Sequence, residues 1–130
     1  MFTELYHYQT TTQQMLLNGG VYGKELQGKE FKGLARPLPA DSPDIFRYHL
    51  LHLVTEVGEV AQADPRWKSL QGGVYDPNQK LEELADCFIE LMNVAIFSGI
   101  PAEMMEHAIS SKMETVRRRA VWCEDGKEDG

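Results

Sequence analysis

Between residues 43 and 63 the apolar side chains Phe46, Leu50, Leu53, Val57 and Val60 recur at steps of four, three, four and three, the spacing of a helix with one face packed on its neighbours. Asp41-Ser42-Pro43 precedes the run, a cap-forming side chain and then a proline suited to a first helical turn, and Asp64-Pro65 ends it. A second such run begins at Asp76-Pro77, where Leu84, Phe88, Leu91 and Ala95 make an apolar stripe. From Cys87 to Phe97 only Glu90 and Asn93 are polar, so the second half of this helix is expected to be buried nearly all round. Residues 2–17 contain few breakers and place Phe2, Leu5, Thr12 and Leu16 roughly on one face before the stop Asn18-Gly19-Gly20. A fourth helix is expected from Ala102 to Val121, after Ser98-Gly99 and Pro101.

The intervening stretches read as loops. Residues 19–40 carry Gly20, Gly23, Gly28, Gly33, Pro37 and Pro39 among polar residues, which neither a helix nor a central strand tolerates. A loop of that length is either a ligand-covering lid or a plain connection. Arg66 to Asp76, with Gly72-Gly73, is a connector in which Trp67 and Leu70 pack down, and the acidic tail from Glu124 to Gly130 is expected to fray. With no internal repeat and no alternating strand pattern, the expectation is one all-α domain over residues 1–130, a four-helix bundle.

Composition narrows the function. A net charge of −7 argues against a broad basic face that tracks nucleic acid, so any phosphate handled here needs a cation. Cys87 and Cys123 lie far apart with no zinc-finger spacing, which fits a reducing cytoplasm. The N-terminal MFTELYHYQ has no basic region followed by an apolar run, and no stretch reaches the length of a membrane span, so neither export nor insertion is expected.

The candidate chemistry lies in carboxylates. Glu56 and Glu59 are three apart on the second helix, about 60° apart around its axis. Glu83 and Asp86 repeat that spacing on the third, and Glu90 and Asn93 continue the stripe. Two antiparallel helices would bring the four acids face to face, and their repulsion calls for a hard divalent cation on oxygen ligands, magnesium, manganese or calcium, of which magnesium typically shares itself with substrate phosphates. The bland reading is that such pairs occur on many solvated helix faces. Against it, Glu90 and Asn93 lie in an otherwise apolar run, where an unpaired polar group is costly.

The succession Glu56-Val57-Gly58-Glu59, then 23 residues, then Glu83-Leu84-Ala85-Asp86 resembles the MazG-like pyrophosphohydrolase superfamily. The likeness extends to Asn93, seven residues after Asp86, to Lys112 on the next helix, which matches the family's phosphate-side lysine, and more weakly to Tyr8-Gln9. It covers most of residues 2–119 and leaves the loop at 19–40 unexplained. Thr55 stands where many members carry a further acidic residue, so no metal role is implied there. Glu56 to Lys68 (EVGEVAQADPRWK) is similar to a segment of the dimeric all-α dUTPases.

The resemblance implies magnesium bound by Glu56, Glu59, Glu83 and Asp86, bridging the phosphates of a nucleoside triphosphate and activating water for in-line attack. The α–β bond would break, giving a monophosphate and pyrophosphate. It also implies a homodimer or a homotetramer, and the apolar third helix points the same way. Lys112 falls in line with Met105, Ile109 and Val116; it either turns its ammonium inward to a triphosphate or snorkels at a bundle edge. Trp67 either stacks on a base or anchors the connector. Arg117, Arg118 and Arg119 either steer an anion or complement the helix dipole, the latter being favoured for at least two of them. His52 shares a face with Glu56 but is left outside a magnesium site, which prefers oxygen. The rivals are a phosphoribosylated-nucleotide pyrophosphohydrolase of the same superfamily and a non-enzymatic helical adaptor or regulator.

Overall fold

The computed structural model describes residues 1–20, 41–68 and 75–124, so the loop after the first helix, part of the connector and most of the acidic tail lie outside the described residues. Among the described residues four helices follow in order: α1 (Phe2–Asn18), α2 (Pro43–Ala63), α3 (Pro77–Ile96) and α4 (Ala102–Glu124). A 3-10 turn, Pro65–Lys68, follows α2. The fold is all-helical, as expected, and the only β-type pairing among the described residues is an isolated antiparallel bridge between Asp41 and Ser98. No described helix is long and apolar enough to cross a membrane.

The boundaries follow from local chemistry. Pro43 sits at the start of α2 after Ser42, whose backbone N–H donates to Phe97 O at 2.9 Å. Asp76 caps α3, its side chain accepting from Asn78 N, with Pro77 in the first turn. The chain leaves α3 by a Schellman arrangement: Ile100 N–H donates to Ala95 O, and Gly99 N–H to Ile96 O. Gly99 takes φ of +74°, and a Cβ there would stand 3.3 Å from Asp41 N.

Helices α2 and α3 form the most extensive pairing, running antiparallel. Ser42 meets Phe97, His49 meets Glu90, and Glu56 meets Glu83, so seven residues up α2 are matched by seven down α3. The seam lines are therefore Ile45-His49-His52-Glu56-Glu59 and Glu83-Asp86-Glu90-Asn93-Phe97, each at the four-and-three spacing of helices packed along their length. Ile45, His49, Glu56, Glu90, Asn93 and Phe97 are all buried on these lines.

This corrects the expected core. Much of each apolar stripe faces away from the seam: Val57 is 55 % exposed, Phe88 67 % and Leu91 50 %, and Leu50 and Leu84 are exposed with them, whereas Ala95 is buried as expected and Phe46 packs against the core. The dense burial expected for the second half of α3 begins only at Met92 and continues to Phe97, where α1 crosses the pair. α4 has α1 as its main partner and does not lie along the α2–α3 seam, so the described helices of one chain do not close a four-helix bundle. The exposed stripe residues face outward because each helix of a pair buries one line, and no described helix of this chain covers the other.

The apolar core gathers at the α2 N-terminus and α3 C-terminus, where Tyr6, Leu17, Ile45, Ala95, Ile96, Phe97 and Ala102 meet. The buried face of α1 is Tyr6, Gln13 and Leu17 rather than the expected line through Leu5. Polar partners set that rotation. Tyr6 Oη donates to Ile100 O at 2.6 Å, with burial pushing its phenol up to about 12, while Gln9 and Gln13 donate to Asn93.

Candidate metal and catalytic site

Antiparallel register places the Glu56-Glu59 pair of α2 opposite the Glu83-Asp86 pair of α3, and one oxygen from each falls within 4.8 Å of the others. The sequence expectation that four carboxylates share one site therefore holds as geometry. Glu56 is only 9 % exposed, whereas Glu59 and Asp86 lie on the open side.

Crowding raises two of these acids, Glu56 and Glu83. The Glu56 carboxyl is pushed up by burial, then by the charges of Glu59 and Asp86, against a smaller opposing effect of His52. Glu83 is pushed up first by a hydrogen bond with Glu59, which needs a proton between the two groups, then by burial and its charged neighbours. The half-buried Cys87 thiol is pushed up by burial and by the same four carboxylates, so it remains a thiol rather than a reactive thiolate.

Ionised carboxylates can only accept, and Glu56 Oε2 and Glu83 Oε2 are buried with no hydrogen-bond donor. Orphaned acceptors beside two further carboxylates are the donor set of a hard divalent cation, so the residues fit the magnesium or manganese that the sequence implied.

Behind the carboxylates the seam continues as a connected polar network that sequence reasoning missed. His52 Nε2 lies 3.0 Å from Glu56 Oε1, and its Nδ1 lies 3.3 Å from Glu90 Oε2. His49 Nδ1 is 2.9 Å from that same Glu90 oxygen, and its ring stacks on Phe97 at 5.3 Å. Asn93 Nδ2 donates to Glu90 Oε1 at 2.9 Å, while Asn93 Oδ1 accepts from Gln9 and Gln13 at 2.8 and 2.9 Å. Burial alone would raise the Glu90 carboxyl, but the hydrogen bond and charge of His49, with Asn93 and His52, hold it below its ordinary value. His52 was excluded because magnesium prefers oxygen. The signal for a different role was its position four residues before Glu56, opposite Glu90, itself four after Asp86.

The residues named for substrate fall in three places. Asn93 is buried, with its oxygen doubly engaged and its amide holding Glu90, so it organises the seam. Trp67 lies in the 3-10 turn beyond the carboxylate end of α2, where its Nε1 donates to Ala61 O at 2.8 Å and its ring is 65 % exposed. The connector reading therefore accounts for its N–H, and the Lys68 ammonium lies 5.5 Å from the centre of the exposed ring. Lys112 is exposed on α4, in an apolar groove with Met105, Ile109, Met113 and Val116, because α4 packs on α1. Its ammonium does not turn into a bundle interior within one chain. Arg117, Arg118 and Arg119 are exposed, and since α4 runs on to Glu124 its last turn holds no basic residue, so the dipole reading fails.

The end of the hairpin beside the carboxylates is pinned by a cluster the sequence did not suggest. Arg66 forks onto Asp64 with two bonds of 2.7 Å, and Lys80 Nζ from α3 reaches the same carboxylate at 2.8 Å. Those bonds hold the Asp64 carboxyl well below the usual carboxylate range. The Arg66 guanidinium also lies 3.9 Å over the Tyr75 ring.

Comparison with protein-family models, with curated proteins and with solved structures returns no match.

Proposed function

We propose that this chain is a cytoplasmic, divalent-cation-dependent nucleoside triphosphate pyrophosphohydrolase that cleaves the α–β phosphate bond to give a nucleoside monophosphate and pyrophosphate. The observation that carries the reading is the convergence of Glu56, Glu59, Glu83 and Asp86 with two buried oxygens that lack a donor. The resemblance of these residues and their spacing to the MazG-like superfamily supplies the substrate class and the bond cleaved.

Glu56, Glu59, Glu83 and Asp86 would hold magnesium, or manganese in its place, and the ion would neutralise phosphate charge and acidify a water for in-line attack. The chain's own part is positioning. Glu56 is held through Oε1 by His52, and its buried Oε2 has no hydrogen-bond partner. Glu59 and Asp86, on the open side, are where an anionic substrate would approach. The exposed ring of Trp67, beyond the same end of the seam, is offered to a base.

The same reading makes the protein a homodimer or homotetramer. Leu50, Val54 and Val57 on α2 and Leu81, Leu84, Phe88 and Leu91 on α3 are exposed at helical spacing, which is a contiguous apolar face that association would cover. In such an assembly the Lys112 groove of one α4 has an apolar face to meet.

The test is pyrophosphate release from ribo- and deoxyribonucleoside triphosphates with magnesium, comparing the wild type with a Glu59→Gln, Asp86→Asn double variant. Release that requires both the metal and the two acids supports the reading. Equal release by the variant, or none from any nucleotide without a magnesium-dependent thermal shift, favours the adaptor.

A further inference from the structure

One hydrogen bond away from the carboxylate cluster lies a second set of convergent donor atoms, of different chemistry. His49 and His52 come from adjacent turns of α2 and Glu90 from α3. One donor atom of each falls within 4.8 Å of the others. His49 Nδ1 and His52 Nδ1 stand 2.9 and 3.3 Å from one oxygen, Glu90 Oε2. A tetrahedral site with metal–ligand bonds of about 2.0–2.2 Å has ligand-to-ligand edges of about 3.3–3.6 Å. The His52–Glu90 edge already has that length, and the His49–Glu90 edge needs only a few tenths of an ångström.

We propose that His49, His52 and Glu90 form a second metal site, which takes a transition-metal dication, zinc above all, through two imidazoles and one carboxylate. Two nitrogens and an oxygen suit zinc and not magnesium, which separates this site from the all-oxygen cluster beside it.

The surroundings are those of a metal site's outer hydrogen bonds. His52 presents Nε2 to Glu56 Oε1, the carboxylate–histidine order that fixes the tautomer leaving Nδ1 for an ion. Glu90 is held from behind, its Oε1 accepting from Asn93, which Gln9 and Gln13 orient in turn. That chain turns Glu90 Oε2 towards the histidines. His49 is fixed by stacking on Phe97.

Hydrogen bonding offers a less economical account of the same atoms. Both His52 nitrogens face carboxylates, and without an ion the single oxygen Glu90 Oε2 is shared between two imidazole nitrogens. With an ion, His52 keeps one N–H, donated to Glu56, and Glu90 Oε2 serves the metal. His49 and Glu90 side chains are 4 % and 9 % exposed, and His52, at 40 %, is the side open to solvent and a further ligand. Zinc here would lock His52 and thereby its partner Glu56 Oε1.

The experiment uses the full chain stripped with a chelator and titrated with zinc, and separately with cobalt, in excess magnesium. The expected result is one equivalent held against magnesium, a tetrahedral cobalt spectrum in the visible, and two imidazoles in the X-ray absorption of the zinc-loaded wild type. His49→Gln is expected to weaken zinc binding at least about a hundredfold, and Glu59→Gln less than about threefold. Should His49→Gln fail to fold, the wild-type absorption spectrum and the Glu59→Gln titration still decide. Zinc in all-oxygen coordination, zinc displaced by magnesium, or zinc lost with Glu59→Gln but retained by folded His49→Gln would each overturn the proposal. A failed triphosphate assay leaves it untouched, since no step here depends on turnover.

Discussion

Removing Glu90 tests whether a polar seam holds this fold together. The carboxylate accepts from Asn93 Nδ2 at 2.9 Å and lies 2.9 and 3.3 Å from the Nδ1 atoms of His49 and His52, all in a region where Glu90 is 7 % exposed. Glu90→Ala strands those donors. A stranded buried donor costs about 1–3 kcal/mol and a broken buried ion pair about 3–5 kcal/mol, and since these overlap the expected loss is about 3–5 kcal/mol. That is a large share of the roughly 5–15 kcal/mol by which domains are stable. Glu90→Gln keeps an acceptor for Asn93 but not the charge, so its loss should be smaller, about 1–3 kcal/mol. The assay is urea unfolding followed by circular dichroism, with chelator present and protein concentration fixed, since self-association makes stability depend on concentration. The pH gives an internal check. Because Glu90 is held below its ordinary 4.5, its contribution is present above that value and is lost as pH falls through the lower folded value. The gap between Glu90→Gln and wild type should therefore narrow in acid. Variants within about 0.5 kcal/mol of wild type at neutral pH would refute the reasoning.

Glu56 and Glu83 run the other way: their raised carboxyls favour the folded state below their ordinary 4.5, and that advantage is lost as pH rises through the higher folded values. Thermal melts of metal-free protein should show this decline, magnesium should remove it, and a magnesium shift equal at pH 5 and pH 8 would contradict it. Glu59→Gln with Asp86→Asn should lower metal-dependent turnover by at least about a hundredfold while leaving the helical content intact by circular dichroism. Phe88→Asp, at a site 67 % exposed in one chain, should abolish the association proposed above and leave a monomer in size-exclusion chromatography with light scattering, and a mass equal to wild type would remove the apolar face as an interface. Gly99→Ala, at φ +74° and 3.3 Å from Asp41 N, should cost about 1 kcal/mol or more in urea unfolding, and a neutral result would mean the α3–α4 turn can relax.

The helix boundaries were legible because proline and glycine punctuate them: Pro43, Pro77 and Gly99 each sit where backbone chemistry demands. Which face turns inward was not. Periodicity finds apolar stripes, and it found Leu50, Val57, Phe88 and Leu91, but those point outward in one chain. The seam carries His49, His52, Glu56, Glu90 and Asn93, polar residues satisfied by one another, which a hydrophobic count scores as surface. The four acids were readable through spacing alone, since Glu56-Glu59 and Glu83-Asp86 need only antiparallel helices to meet. His52 was lost through the assumption of one metal chemistry. The two readings of Lys112 could not be separated from sequence, because alignment with Met105 and Val116 reports a shared helix face, not what covers that face.

The most direct test of the central claim follows one nucleoside triphosphate, magnesium and the purified chain by phosphorus NMR. The account predicts that the three triphosphate resonances give way to pyrophosphate and a nucleoside monophosphate in equal amounts, and that chelator stops the conversion. Orthophosphate with a diphosphate as the first products, or resonances that stay unchanged with every base and sugar offered, would contradict it.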